Sequence, residues 1–338
     1  MMAKFTAIVR AACVLVLTLA VLSGGPALAA DPIVIKFSHV VASDAPKGRG
    51  ALKFKELAEK YTEGRVKIEL YPNSQLYKDK EEIEALQLGA VQMLAPSLAK
   101  FGPLGAKEFE VYDLPFLMQD IDAVHTIFDG AVGKKLLGSL AAKNITGLTY
   151  WDNGFRIFTA NKPLKMPEDF FGLKIRIQSS KVLEAQMKTL GGLPQVMAFS
   201  EVYMGLQTGV VDGSEGDRTN AYTAKLFEVQ KFITLSDHGY LGYAVIANKA
   251  FWDGLPADIR GHLEKALAES TVYVRKIAHE LDVEAEDAMR KSGRTELITL
   301  TPEQRAAWIA ALVPVYDQVS ARVGKALIEE VRAAVKKP

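Results

Sequence analysis

Residues Trp151–Leu190, WDNGFRIFTANKPLKMPEDFFGLKIRIQSSKVLEAQMKTL, decide how the rest of the chain is read. Two short runs in this stretch alternate with the period of two that a strand imposes on its side chains. In Leu173–Gln178, Leu173, Ile175 and Ile177 share one face, while Lys174, Arg176 and Gln178 share the other. In Asn153–Ala160, Phe155 and Ile157 face one way and Arg156 faces the other. Pro163–Phe171, between the runs, carries proline and aspartate and reads as a loop. Beyond Ser179 and Ser180, both good N-cap types, Val182, Leu183, Gln186, Met187 and Leu190 recur at helical spacing. The order is strand, loop, strand, helix. An arginine at the end of a strand, beside a helix start, suits carboxylate capture, because its planar fork matches a carboxylate and does not titrate. The same two arginines also read as solvated residues or members of ordinary ion pairs.

Working outward, the alternation of strands and helices continues in both directions. Ile33–Ser38 reads as a first strand, and SDAPKGRG (Ser43–Gly50) as a loop before a helix with Ala51, Phe54, Leu57, Ala58 and Tyr61 inward. A strand at Val66–Tyr71 stops at Pro72-Asn73. A helix at Glu81–Leu88 closes on Gly89, and a short strand follows at Val91–Leu94. Phe101–Gln119 is irregular. Helices near Ile121–Phe128 and Val132–Lys143 lead to a strand at Ile145–Trp151. On the C-terminal side, Ser200 caps a helix to Thr208, Val210–Gly213 is a strand, Ser214–Asn220 is a polar loop and Tyr222–Val229 is helical. Tyr240–Ile246 reads as a buried strand and Pro256–Lys291 as a long amphipathic helix ended by Gly293. A last strand at Leu297–Leu300 precedes helices that start at Thr301-Pro302. Such alternation argues for α/β layering. EALQLGAVQM (Glu84–Met93) and MGLQTGVVDG (Met204–Gly213) echo each other, which agrees with two similar lobes.

Composition sets the class. The 338 residues suffice for two domains. Apolar residues make up 49% and charged residues 24%, as in ordinary globular proteins. Lys+Arg total 41 and Asp+Glu 40, so no net field points to nucleic acid. Lys4 and Arg10, the apolar Ala11–Leu22, the break at Ser23–Pro26 and the small residues Ala27-Leu28-Ala29 form a secretory signal peptide over residues 1–29. Its removal leaves 39 basic against 40 acidic residues, a net charge of −1. The one cysteine, Cys13, lies inside it, so the mature chain has no thiol for catalysis, a disulfide or a thiolate metal site. That suits an oxidising periplasm. No G-x-S-x-G, P-loop or G-x-G-x-x-G motif is present, and no histidine spacing gives metal ligands. The expectation is a chain without cofactor or metal, and not an enzyme.

GLKIRIQSSKVLEAQM, with YWDNGFRIFTAN before it and VMAFSEVY-GLQTGVVDG after it, resembles the solute-binding proteins of TRAP transporters, in their C4-dicarboxylate branch. FSHVVASDAPKGRGA, YPNSQLYKD, FGPLG, FEVYDLPFLM, HGYLGYAV and FWDGLP extend the resemblance through nearly the whole mature chain. It implies a two-lobe periplasmic binding fold of class α/β, with a ligand cleft between the lobes and a long connecting helix. Lobe I would take residues 30–152 and about 242–285, and lobe II residues 153–241 and about 286–338. It implies that Arg176 clamps a substrate carboxylate with help from Arg156. The implied role is capture of succinate, fumarate or malate by hinge closure, for delivery to a small and a large membrane subunit.

Around the clamp, Lys47 and His238 are candidates for the distal carboxylate, with His39 and Tyr240 as further cleft residues. Asp152 and Glu215 are expected to neutralise and orient the arginines. One departure stands out. Where the family usually has Glu-Asn-Pro, this chain has Glu215-Gly216-Asp217, so Gly216 replaces an asparagine that touches substrate and Arg218 offers a compensating charge. That leaves a monocarboxylate, 2-oxo acid or sugar acid as the alternative ligand. A sensor-kinase ectodomain is the alternative partner.

Overall fold

The computed structural model describes residues 31–336, so the signal-peptide expectation lies outside the described residues. Strands and helices alternate as the hydrophobic periods require. β1 (Ile33–Ser38), α1 (Pro46–Tyr61), β2 (Val66–Tyr71), α2 (Glu82–Gln87) and β3 (Met93–Leu94) come first. Helices α3 (Ile121–Asp129) and α4 (Ala131–Ser139) lead into β4 (Ile145–Ala160). Then β5 (Lys174–Ile177), α5 (Lys181–Thr189), β6 (Leu193–Val196), α6 (Val202–Gln207) and β7 (Gly213–Asp217) repeat the opening order. The chain continues with α7 (Arg218–Thr223), β8 (Phe232–Leu235), β9 (Tyr240–Asn248), α8 (Lys249–Asp253), α9 (Ala257–Ser292), β10 (Glu296–Thr299), α10 (Pro302–Val323) and α11 (Lys325–Val335).

The sheet order is β2-β1-β3-β9-β4-β7-β5-β6, which reads alike from either end. β1 pairs in parallel with β3, and β5 with β7. β3 then meets β9, and β7 meets β4, both antiparallel. Two β-α-β-α-β units therefore flank a central antiparallel pair, the two-lobe α/β arrangement expected from the sequence. The ten-residue echo is the matching corner of each unit. Gly89 (φ 79°) and Gly209 (φ 73°) take the left-handed conformation that a Cβ resists, and Val91 and Val211 after them are buried.

β4 is one strand of 16 residues, where the sequence reads as two. It pairs with β9 through Phe155 and with β7 from Arg156 to Ala160, changing partners just after a register shift between Trp151 and Gly154. A bulge of this kind breaks the alternation locally without ending the strand. α9 lies along α1, β4 and α7 and so spans both units. It ends at Gly293 (φ 63°), and Thr301 and Gln304 form a capping box at the start of α10.

Two further readings need correction. Ser200 caps nothing; it sits within a short 3-10 turn, Phe199–Glu201, ahead of α6. Ser214–Asp217 is not a polar loop but the body of β7, and α7 follows directly. The polar residues misled because they are buried against other polar groups, Glu215 against Arg156 and Asp217 against Asn220. β8 was not legible, since FITL has four residues and no alternation. Among the described residues no helix is long and apolar enough to cross a membrane.

Candidate functional site

Arg176 sits in the middle of β5, and the alternation read from the sequence holds there. Ile175 and Ile177 enter the hydrophobic core, and Arg176 and Gln178 turn into a narrow cavity with Thr159, Phe199, Ser214, Glu215, Gly216 and Asn220. Arg176 is only 2% exposed. Its Nε donates to the Met197 carbonyl at 3.1 Å, and the Phe199 ring lies 5.9 Å from its Cζ. Among the described residues no carboxylate comes within 4.0 Å of its guanidinium. Burial presses Arg176 below its ordinary pKa, and the fields of Asp79 and Glu215 counter it. A buried guanidinium left this way is costly unless an anion joins it.

Arg156, on the adjoining strand β4, stands in the opposite condition. Its Nη2 donates to Asp113 at 2.7 Å and its Nη1 donates to Glu215, and all three side chains are buried. These carboxylates outweigh burial and raise the Arg156 pKa. Burial in turn pushes Asp113 up to about 7, with Arg156 and the Ser180 hydroxyl opposing. Glu215 lines the Arg176 cavity while it pairs with Arg156, and so links the two arginines. Asp113 lies in the irregular stretch before α3, where no sequence pattern marks it as a partner.

The remaining candidates separate clearly. Lys47 is not on a loop; it occupies the first turn of α1 and is 1% exposed. Its Nζ donates to the Ala95 carbonyl at 2.9 Å and lies 4.0 Å from the centre of the Tyr243 ring. The Tyr243 hydroxyl lies 3.1 Å from Asn220 Nδ2 at the cavity wall. Burial and then Lys100 lower the Lys47 pKa to about 7, against Glu82, Asp79 and Asp217. His39 is buried and pushed down to about 3 by burial and by Lys47. His238 stacks on Phe158 at 4.5 Å, and its Nδ1 lies 2.8 Å from Ser236 Oγ. Burial, then Arg156 and Arg305, hold it neutral. It does not line the cavity.

Arg218, Asp152 and Tyr240 lie elsewhere. Arg218 opens α7 and pairs with Asp237, Asp282 and Glu286 at 2.8, 3.3 and 3.2 Å, so its charge is already matched within the protein. Asp152 Oδ2 lies 2.6 Å from His125 Nε2. With Tyr240 it lines a separate cavity beside Arg275, His279 and Asp282. Tyr240 packs edge-on against Phe155 at 5.2 Å. The bulge in β4 explains why Asp152 departs from Arg156: the register shift between Trp151 and Gly154 breaks the period that would have put them on one face.

The sequence reading missed Thr159, Phe199, Ser214 and Asn220. Thr159 follows β4 alternation toward the cavity, and its buried Oγ1 has no partner. Ser214 and Asn220 were legible only once β7 and α7 replaced the assumed loop. At Gly216 an added Cβ would meet nothing within 4 Å, so the cavity has room where a side chain would stand. Among the described residues no group of three or more His, Cys, Asp or Glu is placed to hold a metal ion.

Known proteins share this fold. The chain matches bacterial extracellular solute-binding protein, family 7, over residues 37–322. It is 65% identical over 309 residues to the C4-dicarboxylate-binding periplasmic protein DctP of Rhodobacter capsulatus, which covers 91% of this chain and 92% of that protein. A TRAP periplasmic solute-binding protein from Shewanella oneidensis, solved with bound succinate, superposes with a TM-score of 0.88 at 46% identity. The match covers 90% of this chain and 100% of that one. One from Pseudomonas aeruginosa PAO1, solved with bound L-malate, gives 0.83 at 42% identity, covering 85% and 100%. These matches lead to one conclusion: the chain belongs to the family 7 bacterial extracellular solute-binding proteins.

Proposed function

We propose that this protein is the periplasmic receptor of a TRAP transporter and captures a C4-dicarboxylate of the succinate, fumarate and malate class. The observation that carries this reading is the buried Arg176 guanidinium, which faces a cavity and, among the described residues, has no carboxylate partner of its own. One ligand carboxylate takes the free edge of Arg176 in a forked pair. Arg156 does not share that carboxylate; held by Asp113 and Glu215, it fixes β4 against β7 and keeps Glu215 from occupying Arg176. Lys47, across Tyr243 and Asn220, meets the distal carboxylate. His39 and His238 remain neutral supports, and Asp152, Tyr240 and Arg218 belong to the frame.

The lobes we draw meet at the β4 bulge, with residues 30–152 and about 242–285 on one side and 153–241 and about 286–338 on the other. Closure excludes water and strengthens the pairing. The chain reaches the periplasm by a cleaved signal peptide and hands its ligand to the two membrane subunits without chemical conversion. Calorimetric titration of refolded protein with succinate, fumarate and malate tests this; saturable binding to at least one is expected, and silence to all three overturns it.

The room at Gly216 supports a second reading, in which the ligand is a sugar acid, 2-oxo acid or monocarboxylate bulkier at that position. Tighter binding of such an acid than of succinate would select it. A sensor-kinase ectodomain as the delivery partner is distinguished by pull-down of the loaded receptor with each membrane protein.

A further inference from the structure

The loop after β2 and the segment between β6 and α6 belong to different units of the fold, and they touch through named bonds. Asp79 Oδ2 accepts the Phe199 backbone N–H at 2.7 Å. Phe199 opens the 3-10 turn Phe199–Glu201, whose first N–H groups have no partner within the turn. The other Asp79 oxygen pairs with Lys100, which also bonds Glu82 at 2.9 Å. Next to it, Lys78 pairs with Glu201 at 2.8 Å. Held this way, Phe199 places its ring over Arg176 and packs on Val40, Val41 and Ala45 from the first unit. Two residues earlier, the Met197 carbonyl accepts the Arg176 Nε. One short segment, 197–199, is thus gripped by Arg176 on one side and by Asp79 on the other.

We infer that Asp79 is a positioning residue that latches the two units together over the ligand, acting through Phe199 and not by holding the ligand itself. The inference rests on the receptor reading above. Lys100, Arg176 and the Phe199 amide keep Asp79 ionised in spite of its burial, so the latch keeps its charge in neutral solution. These contacts form only when the units are together. The latch therefore slows release while leaving capture to the open form, and affinity changes of this kind appear in the dissociation rate.

Stopped-flow fluorescence with succinate on the wild type, Asp79→Asn, Asp79→Ala and Glu201→Gln tests it. Expected is a release rate about tenfold faster or more for Asp79→Ala, with association changed less than about twofold. Asp79→Asn, which keeps an acceptor for the Phe199 N–H, falls between, and Glu201→Gln shows a small effect of the same sign. A slower association with unchanged release, or no change in either, overturns the latch. Hydrogen exchange at the Phe199 amide provides a readout that does not need ligand kinetics. It should quicken in Asp79→Ala and stay protected in Asp79→Asn, and unchanged protection in both would contradict the assignment. If the wild type itself gives no signal with succinate, the ligand reading fails separately and the amide exchange still decides the latch.

Discussion

Arg156 and Arg176 stand on two strands of the same sheet, each on the polar side of an alternating run, and each nearly inaccessible to solvent. Arg156 is matched twice over, by Asp113 and Glu215. Arg176 has a carbonyl, an aromatic ring and a cavity. Burial alone does not distinguish the two arginines; the missing counter-charge at Arg176 does. The protein leaves the buried Arg176 cation without a carboxylate and sets two carboxylates on Arg156.

That contrast can be broken most sharply through stability. Arg156→Met would leave Asp113 and Glu215 buried without their cation, and breaking a buried pair of this kind costs about 3–5 kcal/mol. Urea unfolding should show that loss in the absence of ligand. Arg176→Met removes a cation that has no paired carboxylate, so the same experiment should show little loss or a gain. Equal destabilisation by both would dissolve the comparison.

Affinity should divide them the other way. Losing the clamp at Arg176 is expected to weaken succinate binding by about 2–5 kcal/mol. Arg176→Lys should also bind at least about tenfold more weakly, because an ammonium lacks the fork. Calorimetry that returned wild-type affinity for Arg176→Lys would refute the forked pairing.

A smaller effect concerns protons. In the free protein Lys47 titrates at about 7, lowered by burial and facing Lys100, Glu82, Asp79, Asp217 and His39. A distal carboxylate favours its charged form. The bound pKa is therefore higher than the free one, and binding at pH 8 takes up close to one proton. Affinity should fall as pH rises through 7 toward 8 and level off below 7. Titration in buffers of different ionisation heat measures the uptake, and Lys47→Met should abolish it. Uptake of no proton at pH 8 would remove Lys47 from the site.

The smallest change is expected at Gly216. An alanine there meets open space and its φ is not in the left-handed region, so stability should move by no more than about 0.5 kcal/mol. Binding of acids bulkier than succinate should weaken before binding of succinate does. Uniform weakening across ligands would mean that the open space is not used for selection.

The alternation around Arg156 and Arg176 made both strands legible, the clamp role of Arg176 came only from the family resemblance, and the Gly89 and Gly209 turns agreed with a fold that repeats. The site's remaining parts were hidden for physical reasons. Asp113 comes from an irregular segment more than 40 residues from Arg156 (|i−j| = 43), and no local period marks such a partner. Ser214–Asp217 looked like a loop because polarity usually means exposure, but these residues are buried against other polar groups. Asp152 was grouped with the arginines by nearness in sequence and Arg218 as a charge compensating for Gly216, and a bulge and a three-acid cluster place them away from the Arg176 cavity.

The most direct test is a crystal structure of the refolded protein with succinate bound. The account predicts one carboxylate on the terminal nitrogens of Arg176, with Arg156 still paired to Asp113 and Glu215. A carboxylate seated on Arg156 with Glu215 displaced, or a succinate that leaves Arg176 without an anion, would contradict it.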